Sequence, residues 1–516
     1  MMKRFYMIGV DIGTTSTKVV LYSEKGKVIT TFSKGYSLFH PTPQIAEQDP
    51  DEIFQAVIST INEAMTNSGI AKEKLSFISF SSAMHSLIAV DFDGTPLTRS
   101  MTWADNRSVV YSEELKATET GLRLYRRTGT PIHPMSPITK LIWLRNECPD
   151  VFHQTYKFLG IKEYVIHKLF KQYVMDYSLA SATGLFNLKQ LSWDEEALQI
   201  AGVSDEKLPV LVPTTYILNG LDTALANQMN ISKNTTFVIG ASDGVLSNLG
   251  LNTIKPGDLA VTIGTSGAIR AVSNRPITDV KGRTFCYALT ENHWVIGGAV
   301  NNGGVTFQWV RDQIGQLEVK KACEKGKDAY ELLTMLAEKV PPGSDGLIFH
   351  PYMTGERAPI WNADARGSFF GLALNHSRAH LIRAVLEGVI YNLQSVMLVL
   401  KELIGEPKQI HVSGGFVRSK LWCQIMADVF GQVVSIPESF ESSCLGAVVL
   451  GLYALGEIDQ LESVEEMVGM MNDIIPHQAN SQIYQELMPI FLSISRKMEE
   501  EYYSISEFQR KFGKRD

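Results

Sequence analysis

The chain opens with apolar β-type runs that are separated by short polar turns. Residues 9–22, GVDIGTTSTKVVLY, place apolar and β-branched positions on both sides of a turn rich in glycine and threonine. The residues after the turn, TKVVLYSEKGKVITTFS, are again β-branched and apolar, so the chain leaves the turn as another strand. The pattern predicts a β-hairpin. Its tip differs from a P-loop, which needs G-x-x-x-x-G-K-[ST] running from a strand into a helix.

The next segments alternate between helical and strand-like patterns. The stretch DPDEIFQAVISTINEAM predicts a helix with Asp49 as N-cap, Pro50 at the first helical position and acidic residues in the first turn. The stretch LSFISFSSAMH then predicts a buried strand that ends near Ser82. This alternation continues along the chain and indicates an α/β architecture.

Two later segments repeat features of the opening. The stretch TTFVIGASDG predicts an apolar strand that ends at Ser242 and Asp243, and ligands usually bind at the carboxyl ends of strands in open sheets. Residues 259–272, LAVTIGTSGAIRAV, share the I-G-T-[TS] pattern with the opening and predict a second hairpin. Two such tips would clamp a polyphosphate from both sides. The repeat suggests two related halves with a boundary near residues 245–258, but it is short enough for coincidence to stay open.

A glycine pair stands out in the second half. The stretch QIHVSGGFVRSK predicts a strand that ends in Gly414 and Gly415, followed by a helix from near Val417. Such a turn brings backbone close to a flat ligand such as a nucleobase, although it also occurs for packing reasons alone. From about residue 480 the pattern is helical and charged, which is typical of a solvated helix and tail.

Composition narrows the functional classes. A chain of 516 residues is expected to form about two domains, and a net charge of -7 argues against a nucleic-acid surface. The five cysteines show no C-x-x-C spacing, which predicts neither a zinc site nor disulfides and fits a reducing cytosol. No export signal is predicted, and stretches such as GAVVLGLYAL at 446–455 fall short of the roughly 20 residues that cross a bilayer. We therefore expect a cytoplasmic protein with no membrane partner.

Two long motifs carry a family resemblance. MSPITKLIWLRNE at 135–147 and GSFFGLALNHSRAHLIRAVLE at 367–387 are similar to the two signature patterns of the FGGY family of carbohydrate kinases. The phosphate segments and the glycine pair follow in family order. The resemblance implies an α/β architecture of the duplicated actin-like, RNase H-like ATPase type, with two domains and an interdomain cleft.

The resemblance also implies a domain plan. The expected N-terminal domain, residues 1–248, carries the sugar site, the first phosphate hairpin and the catalytic aspartate. The expected C-terminal domain, residues 249–456, binds the nucleotide. A mostly helical extension is expected at residues 457–516.

Shorter motifs resemble the gluconate-phosphorylating members of the family, namely ISFSSAMHS, TWADNRS, RTGTPIHPM, IGASDGVLSNLG, CYALTENHWVIGG and GERAP. Xylulose kinases typically carry a glutamine where Ala83 stands, and glycerol kinases carry an Arg-Glu pair at Met84 and His85. The implied reaction transfers the γ-phosphoryl group of ATP to D-gluconate, with Mg²⁺, and yields 6-phospho-D-gluconate. A xylulokinase-like sugar kinase and a non-catalytic ATP-dependent sensor on the same fold are the alternatives.

Roles follow from the resemblance residue by residue. Asp243 is the candidate general base, because a carboxylate at a strand end can take the proton of the attacking hydroxyl; its alternative role is a helix cap. Asp11 is expected to hold Mg²⁺ through water, since Mg²⁺ keeps several waters and few protein ligands. The implied phosphate contacts are Gly13, Thr14, Thr15 and Ser16, with Lys18 as screening cation, and Gly264 and Thr265. The implied nucleoside contacts are Gly304, Gln308, Gly415 and Ser419, where Ser419 replaces an asparagine often found in the family.

The sugar acid needs its own set of contacts. The positions that match the family are Met84, His85, Trp103, Asp105 and Met135. Burying a carboxylate is costly unless it is paired, so a cation is expected. Arg107 is the leading candidate because arginine suits bidentate binding, followed by His133 and Arg357, and each is equally open to a structural role. The expected partners are a sugar acid and ATP, with a homodimer left open.

Overall fold

The structure, a computed structural model, describes residues 5–42, 44–438 and 441–512. It packs as two compact units that interleave along the sequence. The first unit contains the chain up to residue 256 together with 272–296 and 441–469, and the second contains 257–271, 297–440 and the chain from 470.

The strands that build the two main sheets and the site are β1 (Tyr6–Ile12), β2 (Ser16–Ser23), β3 (Val28–Gly35), β4 (Glu47–Gln48), β5 (Leu75–Ser82), β6 (Ser100–Met101), β7 (Ile217–Leu218), β8 (Thr236–Ser242), β9 (Asp258–Ile263), β10 (Gly267–Ser273), β11 (His293–Val300), β12 (Gln409–Ser413), β13 (Val434–Pro437) and β14 (Met471–Ile474). Shorter strands are Ile88–Val90, Lys157–Leu159, Val174–Asp176, Phe186–Asn187, Ser192–Trp193, Val210–Val212, Phe285–Thr290, Ile348–His350 and Ser368–Phe370.

The principal helices are α1 (Pro50–Ser68), α2 (Pro137–Glu147), α3 (Ile161–Phe170), α4 (Tyr177–Ser181), α5 (Asp243–Gly250), α6 (Gly304–Trp309), α7 (Arg378–Ile404), α8 (Lys420–Phe430), α9 (Ser442–Ala454), α10 (Gln478–Lys497) and α11 (Glu499–Phe512). Further helices are Val109–Lys116, Glu119–Thr128, Pro149–Gln154, Glu195–Ala201, Thr223–Gln228, Gln316–Lys325, Ala329–Ala337 and Glu465–Val468.

The first unit is built on a six-stranded sheet with the order β7-β8-β5-β1-β2-β3. β1 and β2 form the predicted hairpin, and β1, β5 and β8 run parallel. The register sets Ile12 beside Ser82 and Ser82 beside Ser242, so the three parallel strands end at the same level. The segments that follow these strands therefore leave the sheet side by side.

Helix α1 covers this sheet as the sequence predicted. Asp49 caps it, because its Oδ1 accepts hydrogen bonds from the backbone N–H groups of Asp51 and Glu52 at 2.9 and 3.3 Å. Its apolar face, which includes Ile53 and Val57, is buried in the core that β1, β2 and β5 share. The helix is thus fixed at its start by the cap and along its length by apolar burial.

The second unit repeats the arrangement around another hairpin. Among the described residues its sheet has seven strands, in the order Phe285–Thr290, β11, β10, β9, β12, β13 and β14, with β9 and β10 antiparallel and β9 and β12 parallel. The unit boundary at residues 296 and 297 passes through β11. The predicted second hairpin is therefore present. The helix expected from near Val417 begins later, at Lys420, because a short 3₁₀ turn over Gly415–Arg418 comes first.

Helix α7 is long and apolar enough, by length and composition, to cross a membrane. Its most apolar stretch is 94% buried inside the protein, and it carries an ion pair of 2.8 Å between Arg383 and Glu387. The helix is therefore accounted for as a core element. The apolar stretch at 446–455 lies largely in the shorter α9.

Candidate active site

Three predicted site segments begin at neighbouring strand ends in the first unit. The first phosphate hairpin turns after β1, Met84 and His85 follow β5, and Asp243 follows β8 directly. The Ala83 N–H donates to the Ile12 carbonyl at 2.8 Å, which ties the first two segments together. The half-buried Asp243 opens α5, and its Oδ1 accepts a hydrogen bond from the Gly244 N–H at 2.7 Å. The carboxylate thus sits at a helix start as well as at the strand end.

The carbonyl groups of the first hairpin tip are occupied by donors from its own unit. Tyr36 donates from its hydroxyl to the Gly13 carbonyl and from its N–H to the Thr15 carbonyl at 3.3 Å, and Gln48 Nε2 donates to the Thr14 carbonyl at 2.6 Å. In a trans peptide the C=O and the following N–H point in opposite directions. Among the described residues no acceptor reaches the N–H groups of Thr14 and Thr15. The tip therefore presents backbone N–H donors, an arrangement that suits an anion.

Asp11 and Lys18 lie opposite one another on β1 and β2. The carboxylate of Asp11 accepts hydrogen bonds from the hydroxyls of Ser81 at 2.7 Å and Ser443 at 2.9 Å, and burial raises the pKa of Asp11. Lys18 Nζ lies 2.8 Å from a carboxylate oxygen of Glu441. The positive charge of Lys18, which we expected to screen phosphate, is therefore already compensated by the carboxylate of Glu441.

The surroundings of Asp11 fit a metal held largely by non-protein ligands. A carboxylate offers about four acceptor positions, and two of these accept the serine hydroxyls. Within the described ranges no group of three or more His, Cys, Asp or Glu side chains could hold a metal, and the five cysteines are free thiols. A single carboxylate with spare acceptor capacity suits Mg²⁺, which binds one or two carboxylates together with waters and phosphate oxygens.

The second hairpin tip is held by the backbone of a helix. The N–H groups of Gly304 and Val305, at the start of α6, donate to the carbonyls of Gly264 at 2.7 Å and Thr265 at 3.1 Å. No acceptor in the described part of the chain reaches the Thr265 N–H. The second tip therefore presents backbone donors in the same way as the first, although different groups fix its carbonyls.

The glycines of the second unit fall into two classes. A Cβ at Gly304 would lie 2.6 Å from the Gly264 carbonyl oxygen, and one at Gly414, where φ is +102°, would lie 2.3 Å from the Ile263 carbonyl oxygen. These two glycines permit close backbone packing. At Gly264 and Gly415 no described atom lies within 4 Å of the Cβ position. Packing does not require glycine there, so close approach of a ligand is the better explanation.

The other two predicted nucleoside contacts differ in availability. Gln308 is exposed on α6. The hydroxyl of Ser419 caps α8 by accepting a hydrogen bond from the Trp422 N–H at 3.2 Å. Ser419 thus has a local structural role that accounts for a serine at this position.

Asp105 stabilises the segment that follows β6 and carries Trp103, which we call the sugar segment. It is fully buried, and its two oxygens accept hydrogen bonds from the Ala46 N–H at 2.9 Å and from the backbone and side chain of Arg107 at 2.7–3.2 Å. These contacts fill the about four acceptor positions of a carboxylate. These contacts give Asp105 a structural role, and its assignment as a direct sugar contact stays a prediction.

Arg107, the leading candidate for the substrate carboxylate, is committed within the protein. Its guanidinium donates hydrogen bonds to both carboxylate oxygens of Asp105, and its Nη2 lies 2.5 Å from Oε1 of Glu47. The guanidinium carbon also lies 5.0 Å from the centroid of the Trp143 ring. The guanidinium is thus already paired with two carboxylates. These contacts favour a structural role for Arg107, and its pairing with the substrate carboxylate stays a prediction.

A buried lysine joins the two segments that carry the sugar residues. Lys140 Nζ donates to the carbonyls of His85 at 2.7 Å and Thr102 at 2.6 Å, and burial lowers the pKa of Lys140 to about 7. His85 has φ of +69°, an uncommon backbone conformation for a residue with a side chain, and its Nδ1 donates to the Ala182 carbonyl at 2.8 Å. The neighbouring Met84 is half-buried.

The remaining sugar candidates lie in different units. In the first, Met135 is buried, and its N–H donates to Nδ1 of the buried His133 at 3.2 Å. In the second, Arg357 is buried and donates from Nη2 to the Val300 carbonyl at 3.2 Å. His133 Nδ1 is therefore an acceptor within the fold.

Several residues of the site were missed from the sequence. Tyr36 and Gln48 hold the first tip, Ser443 contacts Asp11, and Glu441 pairs with Lys18. These residues are isolated polar positions in stretches without a motif, so the sequence gave no signal for their contacts. Lys140 was also missed, but a signal was present, because it lies inside the motif MSPITKLIWLRNE.

Comparisons with known proteins agree with this geometry. Residues 6–250 match the N-terminal domain and residues 259–455 the C-terminal domain of the FGGY family of carbohydrate kinases. A gluconokinase of Bacillus licheniformis is 55% identical over 506 residues, which cover 98% of both chains.

Two solved structures from Lactobacillus acidophilus, described as a gluconate kinase and as a ligand-bound xylulose kinase, are each 38% identical with a TM-score of 0.91. Each covers 97% of this chain, and they are themselves covered to 100% and 99%. The fold is thus the two-domain, actin-like ATPase fold of sugar kinases. The chain belongs to the FGGY family of carbohydrate kinases.

Proposed function

We propose that this protein is an ATP- and Mg²⁺-dependent kinase that phosphorylates D-gluconate to 6-phospho-D-gluconate. The observation that carries the proposal is the alignment of three strand ends in the first unit, from which the first phosphate tip, the Met84–His85 segment and Asp243 emerge side by side. Phosphoryl transfer needs a phosphate cradle, an acceptor site and a proton acceptor in one place. The 55% identity to a gluconokinase over nearly the whole chain supports the choice of substrate.

Each catalytic task is assigned to residues of this chain. Asp243 accepts the proton of the attacking hydroxyl, because a half-buried carboxylate at a strand end can hydrogen-bond that hydroxyl. The N–H groups of Thr14 and Thr15 in one tip, and of Thr265 in the other, donate to phosphate oxygens. Gly264 and Gly415 allow the nucleotide to approach the backbone, and Gln308 contributes a side-chain amide to its binding.

Asp11 is the residue that would hold Mg²⁺ through water. When bound, the ion would neutralise negative charge on the β- and γ-phosphate oxygens. Ser81 and Ser443 orient the carboxylate. The Lys18–Glu441 pair sets the local charge on the neighbouring strand.

For the sugar acid we assign contacts to Met84, His85, Trp103 and Met135. With Arg107 held by Asp105 and Glu47, His133 of the same unit is the next candidate for the substrate carboxylate. Asp105, Arg107 and Lys140 fix the segments that present these side chains.

The test of the mechanism is the nearly isosteric variant Asp243→Asn. We expect turnover to fall by at least ~100-fold while the affinities for ATP and gluconate change only a few-fold, since general-base contributions run about 10² to 10⁴. Steady-state kinetics and calorimetric binding measure the two effects. Near-normal turnover in a folded variant would remove Asp243 from the mechanism.

The second candidate substrate is xylulose, because the solved structure described as a xylulose kinase is as similar as the one described as a gluconate kinase. ADP release measured with gluconate, xylulose, glycerol and no acceptor decides between them. We expect the largest specificity constant with gluconate. ADP release that needs no acceptor would instead favour an ATPase role.

A further inference from the structure

One residue of the first phosphate tip contacts the sugar segment through its side chain. Thr14 Oγ1 accepts a hydrogen bond from Trp103 Nε1 at 2.9 Å, while the Thr14 carbonyl accepts one from Gln48 Nε2 at 2.6 Å. Both bonds lie within the first unit. The side chain assigned above to the sugar acid is therefore also a direct support of the phosphate tip.

The two donors belong to one small ribbon. β4 pairs with β6, with Gln48 opposite Ser100, and Trp103 follows β6 after a single residue. Arg107 anchors both sides of the ribbon, through Glu47 on β4 and through Asp105 beyond β6. The ribbon therefore behaves as one element, and a ligand that fixes Trp103 also fixes the position from which Gln48 reaches Thr14.

Within the part of the chain that the structure describes, the second tip has no matching side-chain link. Backbone N–H groups of Gly304 and Val305 hold its carbonyls, and they belong to α6 in the second unit. The sugar contacts assigned above all lie in the first unit. Hydrogen bonds within one unit therefore connect the proposed sugar site to the first phosphate tip.

We infer that the Trp103–Thr14 hydrogen bond couples acceptor binding to nucleotide-phosphate binding, with Trp103 and Thr14 as the coupling pair. The inference rests on the function proposed above. A sugar acid that contacts Trp103 restricts the ribbon, and the restricted ribbon holds the Thr14 N–H in the orientation that phosphate needs. Because coupling between two binding equilibria is reciprocal, bound nucleotide tightens acceptor binding by the same factor.

The experiment measures a binding cycle. The dissociation constant of the Mg²⁺ complex of a non-hydrolysable ATP analogue is determined by calorimetry with and without saturating D-gluconate. For the unmodified protein we expect gluconate to lower the dissociation constant of the analogue by at least about fivefold, which is the lower end of common coupling factors. Trp103→Phe keeps an aromatic ring and deletes the N–H donor, and we expect the coupling factor to fall to within about twofold of one.

Matched variants separate coupling from general damage. Thr14→Val should lose the coupling, Thr14→Ser should retain it because the hydroxyl is kept, and the double variant Trp103→Phe/Thr14→Val should be no worse than either single variant. Trp193→Phe, at a partly buried tryptophan on a separate short ribbon, controls for the loss of an indole elsewhere in the first unit.

The outcomes discriminate cleanly. Unchanged coupling in Trp103→Phe, or no coupling in the unmodified protein although gluconate binds, overturns the inference and leaves the proposed function intact. Failure of gluconate to bind or to be phosphorylated overturns both. Equal loss of coupling in Thr14→Ser and Thr14→Val would also overturn it, because the shared hydroxyl would then carry no role.

Discussion

The two phosphate hairpins share a sequence pattern but are supported in different ways. In the first tip, Tyr36 and Gln48 both donate to the carbonyls through their side chains, and Tyr36 donates through its N–H as well. In the second tip, backbone N–H groups at the start of α6 provide the corresponding bonds. Similar short motifs therefore obtain the same presentation of N–H groups from unrelated partners.

The strands that lead into the tips show the same relationship in more detail. Asp11 on β1 is bonded to Ser81 on the neighbouring parallel strand, and the equivalent Thr262 on β9 lies 3.2 Å, hydroxyl to hydroxyl, from Ser413. The geometry is repeated while the charge is not. The two hairpins therefore differ by one negative charge at this position, and under the proposed function that carboxylate is the reason for assigning the metal to the first hairpin.

The largest expected effect comes from removing that difference. Asp11→Thr should raise the Mg²⁺ requirement and lower turnover by about 100-fold or more, because charge neutralisation at the phosphates is worth several kcal/mol. Gluconate affinity should stay unchanged. Kinetics as a function of Mg²⁺ concentration measure the effect, and Thr262→Val is the matched control that should leave the Mg²⁺ requirement as it was. Equal responses of both variants would contradict the assignment of the metal.

The next effect separates ligand glycines from packing glycines in the second unit. Gly264→Ala should raise the KM for ATP by about tenfold, as expected for about 1.4 kcal/mol of lost contact, and should leave the melting temperature unchanged because its Cβ position is open. Gly304→Ala should lower the melting temperature, since its Cβ would lie 2.6 Å from the Gly264 carbonyl oxygen. Thermal denaturation and ATP kinetics test the pair, and a destabilised Gly264→Ala would refute the ligand explanation.

A smaller effect is expected from loosening the first tip. Gln48→Leu removes the donor to the Thr14 carbonyl but leaves the tip backbone partly fixed by Tyr36. We expect a fall of about three- to tenfold in kcat/KM for ATP, which corresponds to the roughly 0.5–1.5 kcal/mol of a single net hydrogen bond. Lys34→Met, on the exposed end of β3, is a control that should have no effect. An unchanged kcat/KM in Gln48→Leu would mean that Tyr36 alone orders the tip.

Buried acids in both units are expected to contribute to the response of stability to pH. Burial raises the pKa of Glu163 in the first unit to about 8. The folded state then keeps a proton that the unfolded state loses above its ordinary pKa, so the contribution of Glu163 to stability is greatest at low pH and falls by up to about 1.4 kcal/mol per pH unit until pH 8. Glu163→Gln should flatten this fall. Melting temperatures between pH 5.5 and 8 measure it.

A second buried acid provides the contrast. Glu356, in the second unit, accepts hydrogen bonds from backbone N–H groups and from the side-chain amides of Asn302 and Asn392, and burial raises its pKa to about 7. Glu356→Gln should destabilise the protein at every pH, because an amide N–H₂ would face donors. Because the pKa of Glu356 is about 7, the range from pH 7 to 8 separates the two acids, and a fall of stability there that Glu163→Gln leaves unchanged would show that Glu163 does not control the slope.

Local pattern determined a large part of this protein. The hairpins, helix α1 with its Asp49 cap, strands β5 and β8, and the position of Asp243 after β8 all followed from apolar periodicity and turn residues. These features depend on contacts between neighbours in the chain or on the period of a strand or helix, and both are written in consecutive residues. The motifs added the family, and with it the reaction class.

Tertiary structure alone decided which distant residues complete the site. Residues 441–469 pack in the first unit, and they bring Glu441 to Lys18 and Ser443 to Asp11 across more than 400 positions of sequence. Gly9 permits this, since a Cβ there would lie 2.4 Å from the Cys444 carbonyl oxygen. The contacts of Asp105 and Arg107 were decided in the same way, and a carboxylate or guanidinium is available to a ligand only when folding leaves its acceptors or donors unused. Sequence gives the chemical groups, but only packing determines which of them remain available to bind.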